Sequence, residues 1–270
     1  MKKLAYMFLL CAMVIYSPLC AFAGESADYA ANIIINEYYL DLSAQMREDI
    51  RRIAIDEGYD NERIAAMCSL LDEYCEYYLQ GLSAAPSTQA VQIESSVNSR
   101  LYLKINRLEF GVDNRVKELL EENADKVLFL DLTQCSGGSV TVAESIAQEL
   151  VPEGIIYTAR FRNEEQTACS SLEDSSRVIY VLVGEKTASS AEILAAALQE
   201  SGAAILVGEQ TYGKASMQKQ YVLPNGGVLK ITVGNWLTRN GVDISGVGIT
   251  PDVRLNKEGI LWLTNTIINK

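Results

Sequence analysis

Residues 178–218 read VIYVLV GEKTASS AEILAAALQE SGA AILVG EQTYGKASMQ. A β-branched apolar run is followed by a turn of small residues and then by a stretch of strong helix formers. A second short apolar run and a glycine-bounded loop complete the stretch. The order strand, turn, helix, strand is the repeating unit of a layered α/β core, and its crossover connection is right-handed. Such a crossover returns the chain to the same edge of the sheet. The loop after AILVG therefore lies at the edge that holds the turn TASS.

Working outward, the same alternation continues. RLYLKINRLEF (100–110) alternates like a strand, NRVKELLEENA (114–124) like a helix, and KVLFLDL (126–132) reads as a buried strand. TQCSGGS (133–139) leads into the helix VTVAESIAQELV, and GIIYTARF (154–161) is a strand followed by a polar loop. QKQYVLPNGGVLKITVGNWL (218–237) is a hairpin about Pro224–Gly227. Upstream, residues 24–80 read as helical. MREDIRRIAIDEG has helical periodicity, and DNERIAAMCSLLDEYCEYYL sets Ile64, Met67, Leu71, Tyr74 and Tyr78 on one stripe. Residues 81–98 are small and polar and read as a linker.

The first 23 residues differ in kind. Lys2 and Lys3 precede an apolar run, Leu4–Tyr16, that is too short for a comfortable membrane span, and Ala21-Phe22-Ala23 matches a small-x-small cleavage pattern. The expectation is a secretory signal peptide at 1–23 and a periplasmic or extracellular mature protein. The whole chain carries 23 basic and 35 acidic residues, net −12; without the two lysines of residues 1–23 the net charge is −14. That balance argues against nucleic acid or an anionic membrane as partner. Of six cysteines, Cys68, Cys75, Cys135 and Cys169 remain, as free thiols or with one bridge. With Cys68 and Cys75 seven apart on one helix, a bridge between these two is geometrically excluded. The chain has no histidine and no C-x-x-C, so neither a metal site nor a cofactor is expected.

Ser189 and Ser190 stand where the helix begins. With Glu192 three residues after Ser189, they fit a capping box. They also fit a nucleophile on a tight turn. A serine nucleophile needs a base, and without histidine the candidates are Lys, Asp and Glu. A lysine serves only when neutral, which takes burial or a nearby positive field. Lys214 is the lysine of the loop after AILVG, and Gln218 follows it by four residues. Ser216-Met217-Gln218-Lys219 also matches the Ser-x-x-Lys of penicillin-recognising enzymes. It leads into a strand rather than opening a helix, which speaks against that reading.

The run TASSAEILAAAL…AILVGEQTYGKASMQ resembles the C-terminal processing, or tail-specific, serine proteases, with their small-Ala-Ser-x-x-Glu turn and Gly-Lys-small-small-x-Gln loop. VLFLDLTQCSGGS is similar to their Asp-Leu-Arg-x-Asn-x-Gly-Gly segment. LTRNGVDISGVGITPD is similar to their closing segment, and SLLDEYCEYY to an element of their N-terminal part. The resemblance spans residues 28–255. It implies a Clp-protease/crotonase-like catalytic domain over 99–270, with Ser189 as nucleophile, Lys214 as general base and Gln218 positioning the lysine. The oxyanion hole would be the backbone N–H groups of Gly137 or Gly138 and of Ser190. The implied activity is that of a serine endopeptidase with a polypeptide substrate, cleaving unfolded or tail segments. Thr133 and Cys135 stand where the family has Arg and Asn. The PDZ domain that the family carries between its helical part and its core has only 81–98 in its place. The helical stripe calls for burial, on its own core, on a second copy or on an activating partner. The rival reading is an inactive homologue that binds peptides or a partner.

Overall fold

The computed structural model describes residues 25–79, 91–97, 99–173 and 176–269. The signal-peptide expectation for 1–23 lies outside them. Two compact units emerge: residues 25–79 with Gln218–Thr232, and the rest.

In the N-terminal unit, α1 (Glu25–Glu37), α2 (Ala44–Ile55) and α3 (Asp60–Cys68) precede a short strand, β1 (Glu76–Leu79). Ile34, Ile50, Ile64 and Met67 are fully buried among the three helices. The third helix stops ten residues before the end of the expected stripe: Ile64 and Met67 lie on it, but Leu71 and Tyr74 are in turns and Tyr78 is in β1. The reason is local. Asp72 Oδ1 accepts the backbone N–H of Tyr74 at 2.9 Å, an Asx turn that competes with the helix. Beyond it β1 finds a partner, Glu76–Leu79 pairing antiparallel with Lys230–Gly227. Gly227 has no side chain because the Tyr77 ring occupies that space; a Cβ there would lie 2.4 Å from the ring. Cys68 and Cys75 thus belong to a helix end and a turn, so the one-helix argument against their bridging does not hold. Both are nonetheless free.

In the core unit the order is β2 (Val91–Val97), β3 (Arg100–Ile105), α4 (Val112–Glu122), β4 (Val127–Asp131), α5 (Val140–Leu150), β5 (Gly154–Phe161), β6 (Glu165–Ser170), β7 (Ile179–Val183), α6 (Ser190–Glu200) and β8 (Ala204–Gly208). The strands β9 (Ser216–Val222) and β10 (Gly227–Leu237) follow and are divided between the units; β11 (Val253–Arg254) and α7 (Lys257–Asn269) close the chain. The main sheet runs β11-β8-β7-β4-β3-β2, parallel except for β2. A smaller antiparallel set joins β6, β5 and Gly234–Leu237 of β10. The alternation of the strands sorts the core into two layers. Leu101, Leu103, Leu128, Leu130, Val181 and Leu206 pack with α4, α5 and α6, whereas Tyr102, Phe129, Tyr180, Leu182 and Val207 pack with α7. Each such fully buried aliphatic side chain stabilises the fold by about 1.5–3 kcal/mol. No helix among the described residues is long and apolar enough to cross a membrane.

Two stretches read as linker or loop are strands. Val91–Val97 of the 81–98 segment pairs antiparallel with β3; residues 81–90 lie outside the described residues. Its apolar alternation, Val91 and Ile93, is interrupted by a register shift between Ile93 and Ser95, which hides the period of two. Glu165–Ser170 is almost wholly polar and exposed, so its strand character comes from pairing with β5 alone.

Burial raises the Cys68 thiol to about 12 and those of Cys75 and Cys135 to about 11, while Cys169 is exposed. Among these four, native iodoacetamide labelling at neutral pH is expected to modify Cys169 first and the other three only on unfolding. Peptide mapping that found Cys135 labelled as fast as Cys169 would contradict this packing.

Candidate active site

Open parallel sheets bind ligands outside the carboxyl ends of their strands, because the loops there converge. Here β4, β7 and β8 are consecutive neighbours, and the three loops that follow them carry Gly137-Gly138, Ser189 and Lys214. The loops are also tied to one another. Ala188 N–H donates to the Cys135 carbonyl (3.1 Å), Tyr212 N–H to the Thr187 carbonyl (3.0 Å) and the Thr187 hydroxyl to the Leu132 carbonyl (2.8 Å).

Ser189 is the one described non-glycine residue with positive φ (φ 59°, ψ −128°). Such a conformation costs about 1–3 kcal/mol and persists only where the surroundings enforce it; sharp strand-to-helix turns that expose a nucleophile have this character. Ser189 and Glu192 have the capping-box arrangement: Ser189 N–H donates to Glu192 Oε2 at 2.9 Å, and the Glu192 N–H also donates to the Ser189 carbonyl at 2.7 Å. Ser189 is half-buried. The neighbouring Ser190 is fully buried, and its hydroxyl has no partner among the described residues.

The Gly137-Gly138 turn abuts Ser189. A Cβ on Gly137 would fall 2.6 Å from the Ala188 carbonyl oxygen and 2.9 Å from Ser189 Cβ, so only glycine permits this approach. Leu108 N–H donates to the Gly137 carbonyl and Ser139 N–H to the Leu108 carbonyl, at 3.0 and 2.7 Å. In that pattern the N–H of Gly138 faces away from Leu108. The N–H of Gly138 and that of Ser190, at the start of α6 where helices leave such groups unpaired, are candidate donors at this turn.

Glu192 joins these parts. Its carboxylate is fully buried and accepts four hydrogen bonds: Thr211 Oγ1 (2.6 Å) and Gly213 N–H (2.7 Å) on Oε1, Ser189 N–H (2.9 Å) and Lys214 N–H (2.9 Å) on Oε2. The backbone nitrogens of Ser189 and Lys214 are therefore no further apart than two hydrogen bonds laid end to end, a span that a lysine side chain covers. What joins the backbones of Ser189 and Lys214 is this carboxylate. Lys214 is further held by its carbonyl, which accepts the indole N–H of the buried Trp236 at 3.3 Å. The closing segment braces the same loop. Gly246 N–H bonds the Gly213 carbonyl (2.9 Å) and Ile249 N–H bonds Thr211 Oγ1 (2.6 Å).

Ser189, Lys214, Gly137, Gly138 and Ser190 lie in the core unit, whereas Gln218 counts with the N-terminal unit, where its Nε2 donates to Thr232 Oγ1 at 3.3 Å. Sequence reasoning assigned Glu192 to the cap alone and did not single out Thr211 or Trp236; separations of 19 to 22 residues carry no local signal for these contacts. Thr133, at the family's Arg position, donates its hydroxyl and N–H to Asp131 Oδ1 (2.6 and 2.9 Å), which keeps the turn after β4 closed without a guanidinium.

Residues 100–255 match the model of peptidase family S41. The carboxyl-terminal-processing peptidase 1 of Arabidopsis thaliana chloroplasts is 38% identical over 143 residues, covering 52% of this chain and 29% of that protein. Among solved structures, the photosystem II D1 C-terminal processing protease superposes with TM-score 0.55 at 24% identity, over 63% of this chain and 49% of that one. A lipoprotein of Streptococcus agalactiae superposes with TM-score 0.76 at 14% identity, over 94% of this chain and 99% of that one. The match thus spans 29% of the first of these proteins and 49% of the second.

Replacing Glu192 by Gln keeps the shape but turns an NH2 group toward donors. The expected cost is about 3 kcal/mol in urea unfolding. Wild-type stability in Glu192→Gln would show that the carboxylate does not hold the two loops.

Proposed function

The chain belongs to peptidase family S41, and we propose that it is an exported serine endopeptidase that cleaves unfolded or tail segments of proteins through a Ser189–Lys214 dyad. The observation that carries this reading is the shared Glu192 carboxylate, which binds the N–H of the strained Ser189 and the N–H of Lys214 at 2.9 Å each. A structural cap has no need of the second bond.

In this reading Ser189 Oγ attacks a peptide carbonyl carbon while the Lys214 amine takes its proton. The N–H groups of Gly138 and Ser190 receive the oxyanion, helped by the positive end of α6. Lys214 then returns the proton to the leaving amine. A water activated by the same lysine hydrolyses the acyl-enzyme. Gln218 orients the lysine. Without a PDZ domain in the chain, substrate is taken by main-chain pairing in extended form rather than by its carboxylate.

Fluorophosphonate labelling and peptide hydrolysis test the dyad. Ser189→Ala should abolish both. Lys214→Arg, which cannot supply a neutral amine, should lower kcat about 10²-fold or more. Ser190→Ala should keep activity, because it removes a buried hydroxyl without a partner and leaves the N–H in place. Near-normal turnover by Lys214→Arg would defeat the lysine-base mechanism, and absence of labelling and hydrolysis in the wild type would favour a binding module.

Matched peptides with free and amidated C-termini test the mode of capture. Their kcat/KM values should agree within a few-fold; a tenfold preference for the free acid, about 1.4 kcal/mol, would reveal a carboxylate-reading site.

A further inference from the structure

Lys214 is held by both of its peptide groups. Its N–H donates to Glu192 Oε2 (2.9 Å), and its carbonyl accepts the indole N–H of Trp236 (3.3 Å). The peptide plane before its Cα is thus tied to the serine turn, and the plane after it to Trp236. Two fixed planes set φ and ψ of the residue between them, since these are the only soft dihedrals of the backbone. With φ and ψ set, so is the Cα–Cβ direction along which the lysine side chain leaves. The residue before is fixed as well. Gly213 has φ 86°, and a Cβ there would lie 2.7 Å from Gly248 N, 2.8 Å from Val247 N and 2.9 Å from the Ile244 carbonyl oxygen.

Trp236 is itself firmly placed. Its backbone N–H donates to the Ala215 carbonyl (3.0 Å), so one residue binds two successive carbonyls of the lysine loop. Lys214 precedes β9, which begins at Ser216; its carbonyl lies outside that strand, and a side chain reaches it instead. The indole N–H can only donate and has no rotor of its own, so its direction is that of the ring. The ring is held: Trp236 is fully buried, pairs with Ala159 of β5 and belongs to the same core cluster as Ala215, Ile244 and Ile249. A buried indole needs an acceptor, and here the acceptor is the carbonyl of the candidate base.

We propose that Trp236 is a positioning residue for the peptidase reaction: together with Glu192, its indole N–H fixes the two peptide planes of Lys214 and so sets the direction from which the lysine amine approaches the serine proton. This rests on the Ser189–Lys214 reading above. Without the indole bond the plane after Lys214 can turn, and the base spends less time within reach of Ser189 Oγ. All of these groups belong to the core unit. The role is exerted on proton transfer and not on substrate binding.

The experiment measures peptide hydrolysis by the full chain, with kcat counted per fluorophosphonate-titrated site, so that misfolded molecules drop out of the count. Trp236→benzothienylalanine puts sulfur in place of the N–H and keeps the ring shape. It should lower kcat about tenfold or more with KM within twofold, since small misplacements of catalytic groups cost on this scale. Trp236→fluorotryptophan, which keeps the N–H, should stay within about threefold of wild type. Should the benzothienyl variant not fold, Ala215→lactic acid loosens the same bond from the other side, because an ester carbonyl accepts more weakly than an amide; the expectation is the same. Unchanged kcat per site, a loss carried by KM, or an equal loss in Trp236→fluorotryptophan would overturn the positioning role. Hydrolysis that survives Ser189→Ala would instead overturn the dyad itself, so the two failures are distinguishable.

Discussion

One buried carboxylate holds the candidate site together. Glu192 is taken out of water, and an isolated carboxylate in that position would be prohibitive. Four donors converge on it from two loops and a threonine, and it sits in the first turn of α6, where the helix dipole favours negative charge. The same bonds that make the charge tolerable fix the backbone of Ser189 in a conformation that non-glycine residues avoid. They also set the start of the Lys214 loop beside it. Stability and site geometry are here one constraint, and neither loop would keep its shape without the other.

That constraint works because the sheet has already brought the loops together. β4, β7 and β8 are adjacent and parallel, so three successive right-handed crossovers deliver a glycine turn, a serine turn and a lysine loop to one edge. The glycines at 137 and 138 then allow an approach that any side chain would block. A Trp236 indole and the 246–249 segment close the lysine loop from its other side. In the proposed reading, a histidine-free chain presents a hydroxyl, an amine and two backbone donors without any of them being part of a conventional triad.

The features legible in the sequence were those written in local chemistry. The apolar runs of β4, β7 and β8, the small-residue turn at 187–190, the glycine pair and the Pro224–Gly227 hairpin each carry their own period or turn residues, and the structure has them in place. What was not legible depends on partners far along the chain. β6 is a strand only because β5 lies beside it, and α3 ends at Cys68 because Asp72 builds an Asx turn and β1 finds β10. The stripe from Ile64 to Tyr78 satisfied helical spacing by coincidence: Ile64 and Met67 are buried on α3, whereas Leu71, Tyr74 and Tyr78 are half-buried in turns and in β1. For the site, spacing located Ser189 and Lys214 but read Glu192 as a cap. Its contacts with Thr211, Gly213 and Lys214 are tertiary, as is the bond from the Trp236 indole to Lys214.

The account's central claim is that Ser189 Oγ is the attacking atom and that Gly138 and Ser190 N–H groups receive the developing charge. A crystal structure with a peptidyl boronic acid, which forms a tetrahedral adduct with a serine nucleophile, tests it most directly. The account predicts a covalent bond from boron to Ser189 Oγ, with one boronate oxygen within hydrogen-bond distance of both N–H groups and the Lys214 amine beside Oγ. A boronate attached to Ser190 or Ser216, or one bound to Ser189 with its oxygens turned away from Gly138, would contradict it.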